Sequence, residues 1–494
     1  MPRCSRVINA VQSCWAWTVA KPPPTLDPAE RAVVPSVVCR LRNMTQTSDA
    51  SAPVLGSAPG ELSSAPTLLH SADRDATTGL LVLSFGGPEQ SEQVVPFLEN
   101  VTRGRGIPRA RLEKVGEHYF TLGGRSPIND QNKQLIDNIA RELQERDLHL
   151  PVYFGNRNWE PYVEDAITQA AKDGITQLYV FATSAWGGYS GCNQYQEDIT
   201  RALDYCRSAG IAPPEVQRLS QFHANPTFIA AFATAVDRAR ASLSQDHAAQ
   251  ADLVFTAHSV PNVADEAAGP HAFGGNLYSQ QVLDASRLIQ QASSFAGQPG
   301  SAADISWTGR VARHENVGGR GDGPAHTGVP VEIDMGPGTE YDVELVWQSR
   351  SGSPHTPWLE PDVCDHIEAR AAAGNTRPIV LCPVGFITDH IEVMWDLDTE
   401  AKETAEEAGI PFVRVATPGL TPEFATMVVD LLVDAMGAAG SNASEASSPS
   451  SATRQLTPDQ QAAADLAAKL STVPDFGCTT NGKPCAPGCC GSAR

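Results

Sequence analysis

Gly79-Leu80-Leu81-Val82-Leu83-Ser84-Phe85, closed by Gly86-Gly87-Pro88, is the stretch from which the fold class follows. A short apolar run ended by turn residues reads as a buried strand. The pattern recurs as PVYFG at 151–155, QLYVFAT at 177–183, DLVFTAH at 252–258, DVELVWQS at 342–349, PIVLCPV at 378–384 and PFVRVAT at 411–417. Between these runs lie segments of helical period, among them 131–146, 162–173, 226–243 and 277–292. Strands alternating with helices imply α/β architecture, with doubly wound parallel sheets covered on both faces. Seven or eight such strands fit one large sheet or two smaller ones, and periodicity does not choose between them.

The flanks read differently. Residues 1–76 are rich in Ala, Ser, Pro and Thr without sustained periodicity, so they are expected to be a disordered extension. The opening only faintly resembles a signal peptide, because Asn9, Gln12 and Ser13 break its apolar stretch, and Met44 offers a second start. The ordered part is expected to divide into halves at 77–220 and 221–437, with a Gly-rich flexible insertion at 297–340 and an apolar helix at 422–437. A Ser/Ala linker follows at 438–456, then a helix near 457–471 and a Cys-rich tail, together spanning 457–494.

The chain has 494 residues, with 36 Lys+Arg against 57 Asp+Glu and a net charge of −21. That balance argues against a general nucleic-acid binder, which would carry a basic footprint. No apolar run approaches the roughly 18–20 residues that span a bilayer. A cytoplasmic protein with no integral membrane segment is the expectation. SFGGPEQSEQ and TLGGRSP match neither a P-loop nor a dinucleotide fingerprint, so no nucleotide cofactor is expected.

Three constellations could carry chemistry. His258 ends a predicted strand, and ligands of open parallel sheets bind outside such ends; it is either a ligand or proton acceptor there, or a loop histidine with its partners satisfied. Glu392, Asp396 and Glu400 recur every fourth residue, so on an α-helix they form one acidic stripe drifting about 40° per step. Asp389 and His390 stand at its head. The stripe is either a solvated face or, given the apolar Val393, Met394 and Trp395 around it, a cleft-facing set of oxygen ligands for a divalent cation. The tail offers Cys478, Cys485, Cys489 and Cys490, whose thiolates suit zinc or an iron–sulfur cluster. A four-thiolate site within the tail would need both vicinal cysteines, which is sterically awkward, so a ligand from elsewhere in the chain is plausible.

Taken in order, VLSFGGPE, TRGRGIP, GGRSPIN, FGNRNWEP, SAWGGYSGC, FTAHSVP, LVWQSRSG with PWLEPDV, and PVGFITDHIEVMWDLDTE resemble the ferrochelatase family over about residues 77–437. The resemblance implies two similar doubly wound domains with a porphyrin cleft between them. It implies that His258 and Glu392 face each other across the macrocycle as catalytic and iron-contacting groups, with Asp396 and Glu400 as an inner path for metal or protons. It places Ser126, Tyr195, Arg103 and Arg105 at the porphyrin. Phe85 stands where Gram-positive relatives often carry Tyr, and the 297–340 insertion is not part of the usual pattern. The Ala-rich, acidic character and Cys-rich tail look like the high-GC Gram-positive branch. The implied substrates are therefore ferrous iron and coproporphyrin III, with protoporphyrin IX as the alternative. Cluster-bearing members take one cysteine from the body and three from near the C-terminus. Here that pattern implies a [2Fe-2S] cluster on Cys192, Cys478, Cys485 and one of the vicinal pair, Cys490 favoured over Cys489, with zinc as the alternative. A non-catalytic tetrapyrrole carrier or iron–sulfur sensor on the same scaffold, and a cobalt or nickel chelatase, are the competing functions.

Overall fold

Leu80 to Leu83 are fully buried, and alternate side chains enter different cores: Leu80 and Val82 face one, Leu81 and Leu83 another. A strand with two buried faces has no polar alternation, which is why it reads as a continuous apolar run. The computed structural model describes residues 77–104, 106–269, 275–296, 343–350, 356–441 and 489–490. They belong to one compact unit, and a second, Ala20–Pro66, lies outside the described residues. The expected disordered extension, the 297–340 insertion and the 457–471 helix also fall outside them.

Eight strands form two four-stranded parallel sheets. The first contains β1 (Thr78–Ser84), β2 (Val152–Asn156), β3 (Gln177–Ala182) and β4 (Glu215–Arg218), in the order β2-β1-β3-β4. The second contains β5 (Asp252–His258), β6 (Glu344–Gln348), β7 (Ile379–Cys382) and β8 (Phe412–Arg414), in the order β6-β5-β7-β8. The orders are the same pattern twice, and the pairing agrees: Ser84 lies opposite Asn156 at the end of β1, His258 opposite Gln348 at the end of β5. The sequence carries the duplication too. Glu-Pro-x-Val-x-Asp-x-Ile occurs at 160–167 and again at 360–367, opening the helices Val163–Lys172 and Val363–Ala372. Pro161 and Pro361 each accept a backbone hydrogen bond from the adjoining strand, from Asn156 and Trp347.

Both sheets turn one face to a shared core. Leu80, Val82, Tyr179 and Phe181 of the first sheet join Leu253, Phe255, Trp347 and Val380 of the second in one apolar cluster. The helices Pro226–Ser242 and Pro422–Ser441 pack into it through Phe228, Phe232, Phe424 and Leu432. The first is started locally: Asn225 accepts hydrogen bonds from the Thr227 and Phe228 amides, and Pro226 supplies the fixed φ of a first turn. The second runs to Ser441, beyond the expected end at 437 and into the expected linker. Each fully buried side chain of this kind contributes about 1.5–3 kcal/mol by leaving water.

Candidate active site

In each sheet the central strand is flanked by strands reached through opposite crossovers, so a crevice opens beyond the carboxyl ends of β1 and β3, and of β5 and β7. One cleft occupies these crevices. It encloses about 1290 Å³, part of it open to solvent, and is lined by the segments that follow β1, β2, β3, β5 and β7. Close backbone approach shapes its floor. A Cβ at Gly87 would meet Ser126 Cβ at 2.8 Å, and one at Gly385 would meet Ala257 Cβ at 2.7 Å. Hydrogen bonds tie the loop after β3 to the second half. Trp186 Nε1 donates to Gly385 O at 2.9 Å, and the Gly187 amide donates to Gln281 Oε1 at 2.5 Å.

His258 and Glu392 meet at this floor, with His258 Nε2 3.8 Å from Glu392 Oε2 and side chains 13% and 16% exposed. His258 Nδ1 is hydrogen-bonded to the Ser259 carbonyl, which can only accept, so Nδ1 carries the proton and Nε2 the lone pair. Burial pushes the imidazole pKa down to about 4, against an opposing contribution from that carbonyl. Burial, with the nearby Asp396 charge, holds the Glu392 carboxyl well above the usual range. At neutral pH the imidazole is uncharged, and burial favours the neutral form of the facing Glu392 carboxyl, so the site disfavours a charged pair. Glu392 Oε1 is buried with no hydrogen-bond partner among the described residues. Such an oxygen costs free energy unless something else occupies the site.

The acidic stripe differs from the expected α-helix. Val393–Ala401 is a π-helix, whose wider turn and i→i+5 bonding bring residues five apart within reach as well as residues four apart. Trp395 Nε1 accordingly donates to Glu400 Oε1 at 3.0 Å, and the Trp395 ring stacks on His118 with centroids 4.0 Å apart. Four-residue spacing suits either helix, and nothing in the sequence separates them. Asp396 lies behind Glu392, away from the cleft lining, where burial and the charges of Glu400 and Asp362 push its pKa up to about 8. Burial likewise raises Glu400, and it moves Asp362 to about 7. Asp362 is a neighbour of the stripe that sequence reading does not reveal. Asp389 is engaged elsewhere: Arg414 reaches its carboxylate at 3.1 and 3.2 Å, and Thr417 at 3.1 Å.

Ser126 and Tyr195 line the cleft and are buried. Arg103 is exposed and is not among the lining residues, and Arg105 lies outside the described residues. Arg157, unremarked in the sequence, does line it. Its Nε pairs with Asp198 at 2.5 Å, its guanidinium lies 4.2 Å from the Tyr195 ring centroid, and its Nη2 is buried without a partner among the described residues. Its position just past the end of β2 was the available signal. His390 also lines the cleft, with its pKa pushed down to about 4 by burial. Phe85 lines the opposite wall.

Cys192 sits in a second π-helix, Tyr189–Asn193, whose Tyr189, Ser190 and Gly191 line the cleft. The Cys192 thiol is buried, and Arg218 Nη1 lies 3.9 Å from its sulfur and 2.8 Å from its carbonyl oxygen. Cys489 and Cys490 are buried as well, while Cys478 and Cys485 lie outside the described residues. Among the described residues, no group of three or more His, Cys, Asp or Glu is gathered to hold a metal ion, and no helix is long and apolar enough to cross a membrane.

The sequence model of the ferrochelatase family matches residues 77–436. The chain is 46% identical over 419 residues to the coproporphyrin III ferrochelatase of Nocardia farcinica, covering 85% of this chain and 98% of that protein. It is 46% identical over 410 residues to the protein of that name from Mycolicibacterium smegmatis, covering 83% and 98%. The corresponding protein of Corynebacterium glutamicum is 43% identical over 420 residues, covering 85% and 94%.

Proposed function

The chain belongs to the ferrochelatase family, and from that premise we propose that it inserts ferrous iron into coproporphyrin III, with His258 and Glu392 as the groups that act on the macrocycle. The observation that carries the site assignment is the His258–Glu392 pair, 3.8 Å apart at the floor of the cleft. A free-base porphyrin must lose two N–H protons as the metal enters. The unprotonated Nε2 of His258, in a ring uncharged at neutral pH, is a base able to take them one at a time. Iron sheds water as it enters, and imidazole and carboxylate can take the place of that water. A cation binding at Glu392 gives the buried Oε1 the partner it lacks among the described residues. A cleft that binds the ring bent, with its nitrogen lone pairs exposed, stabilises the transition state beyond the planar ground state. Asp396 and Glu400, on the side away from the cleft, supply the route by which iron arrives or protons leave.

Coproporphyrin III is the substrate named for the relatives, and its four propionates need cationic or hydrogen-bonding partners. Arg157 offers one, held from behind by Asp198 and keeping Nη2 for the cleft; Ser126 and Tyr195 are proposed beside it. Anaerobic incubation with ferrous iron and either coproporphyrin III or protoporphyrin IX, followed by the Soret shift, tests this. Faster metallation of coproporphyrin III is expected, and a preference for protoporphyrin IX would overturn the substrate assignment.

A [2Fe-2S] cluster on Cys192, Cys478, Cys485 and Cys490 belongs to the same reading. Two of these four cysteines, Cys192 and Cys490, lie among the described residues and both are buried, and the Arg218 guanidinium beside the Cys192 sulfur supports the reading of a thiolate ligand there. The cluster would staple the tail and sense iron or oxidants, since insertion consumes no electrons. Anaerobically purified protein is expected to be reddish-brown, with the colour lost in Cys192→Ser and Cys485→Ser. Colourless protein with one zinc and no acid-labile sulfide would refute the cluster and leave the chelatase reading intact.

A further inference from the structure

Ser349 adopts φ 60°, and among the described residues only Asp147 and Asn276 share positive φ without being glycine. It is the first residue beyond β6, next to Gln348, which pairs with His258 at the end of β5. Glycine would take this conformation freely, whereas a side-chain-bearing residue does so at a cost, and such outliers concentrate where function imposes them. The Ser349 hydroxyl donates a short hydrogen bond to Asp396 Oδ2, and Gln348 Nε2 reaches the same oxygen at 3.5 Å. Gln348 is itself fixed, its Oε1 accepting from Thr256 at 3.3 Å and its carbonyl from the Ser259 amide at 2.8 Å. Ser349 is not among the residues lining the cleft.

We propose that Ser349 is a positioning residue for iron delivery: its left-handed backbone aims one hydroxyl at Asp396 and fixes the rotation of that carboxylate behind Glu392. The proposal rests on the reading of Asp396 as part of the metal route. Its logic is that of a site supported from behind. A carboxylate with one oxygen tied presents the other in a single orientation, so less ordering is left to the arriving cation. Glu400, the next carboxylate, is tied in the same way by the Trp395 indole.

The test compares Ser349→Gly, which deletes the hydroxyl and suits the backbone, with Ser349→Ala, which deletes the hydroxyl and keeps the unfavourable φ. Asp396→Asn serves as reference, all in the full-length enzyme under anaerobic steady-state turnover. Positioning predicts that Ser349→Gly raises KM for ferrous iron by about tenfold, the upper end of what one ordinary hydrogen bond contributes. KM for coproporphyrin III should move little, kcat should fall by less than KM for iron rises, and the thermal midpoint should match or exceed the parent. Ser349→Ala should show the same kinetic split with a lower midpoint. If Ser349→Gly keeps its iron KM within twofold of the parent while Asp396→Asn raises it, the positioning role is overturned and the route survives. If neither variant moves the iron KM, the route itself fails and the inference falls with it.

Discussion

The Asp396 carboxyl is buried beside the Glu400 and Asp362 charges, and its pKa rises to about 8. Between about 4, where an unfolded Asp titrates, and 8, the native state binds more protons than the unfolded state. Stability is therefore lost as pH rises through that window, and the cost is fully present above it. Asp396→Asn removes the titration and should stabilise the protein more at pH 9 than at pH 4, while impairing iron use. Equal changes in thermal midpoint at the two pH values would contradict the burial argument. At this scale the sequence exposes residues whose position alone is telling. His258 closes an apolar strand, and Glu392 heads an acidic stripe. It conceals Arg157 and Ser349, because what marks them out is what faces them across the fold: Asp198 and Tyr195 for Arg157, Asp396 for Ser349.

Six of the seven strands read from the sequence are buried on both faces, β8 being half-buried throughout, and the long helices are readable from their apolar stripes. β4 escapes notice because Glu215–Arg218 has one apolar residue: Glu215 is exposed, Val216 and Gln217 are half-buried, and only Arg218 is buried. The two π-helices escape because residue spacing does not distinguish a π-turn from an α-turn. The helix Pro422–Ser441 is fixed to the core by Phe424, whose ring meets Phe181, Phe222 and Phe228 at centroid distances of 6.1, 5.7 and 6.3 Å. Phe424→Ala should cost about 3–5 kcal/mol, the usual range for emptying a buried aromatic site. A fall of several degrees in thermal midpoint is expected, with turnover of the surviving folded enzyme retained, because this helix does not line the cleft. A midpoint within one degree of the parent would show that the core closes over the gap.

Across the whole chain, strand–helix alternation identifies parallel sheets but not their number, because local period carries no record of which strands pair at long range. The repeated strand order and the twin Glu-Pro segments at 160–161 and 360–361 show a duplicated unit. Duplication places two sets of carboxyl strand ends around one cleft, where the second half supplies His258 and Glu392 and the first supplies Arg157, Ser126 and Tyr195. On the proposed reading, the binding groups and the reactive pair thus come from opposite halves. That division predicts that the chemistry can be removed without removing the porphyrin site. The most direct measurement is anaerobic insertion of ferrous iron into coproporphyrin III by the parent, His258→Ala and Glu392→Gln, with porphyrin binding titrated in parallel. Both variants should lose about 100-fold or more in turnover while still binding the macrocycle. Turnover within about threefold of the parent in either variant would contradict the assignment of His258 and Glu392 as the acting pair.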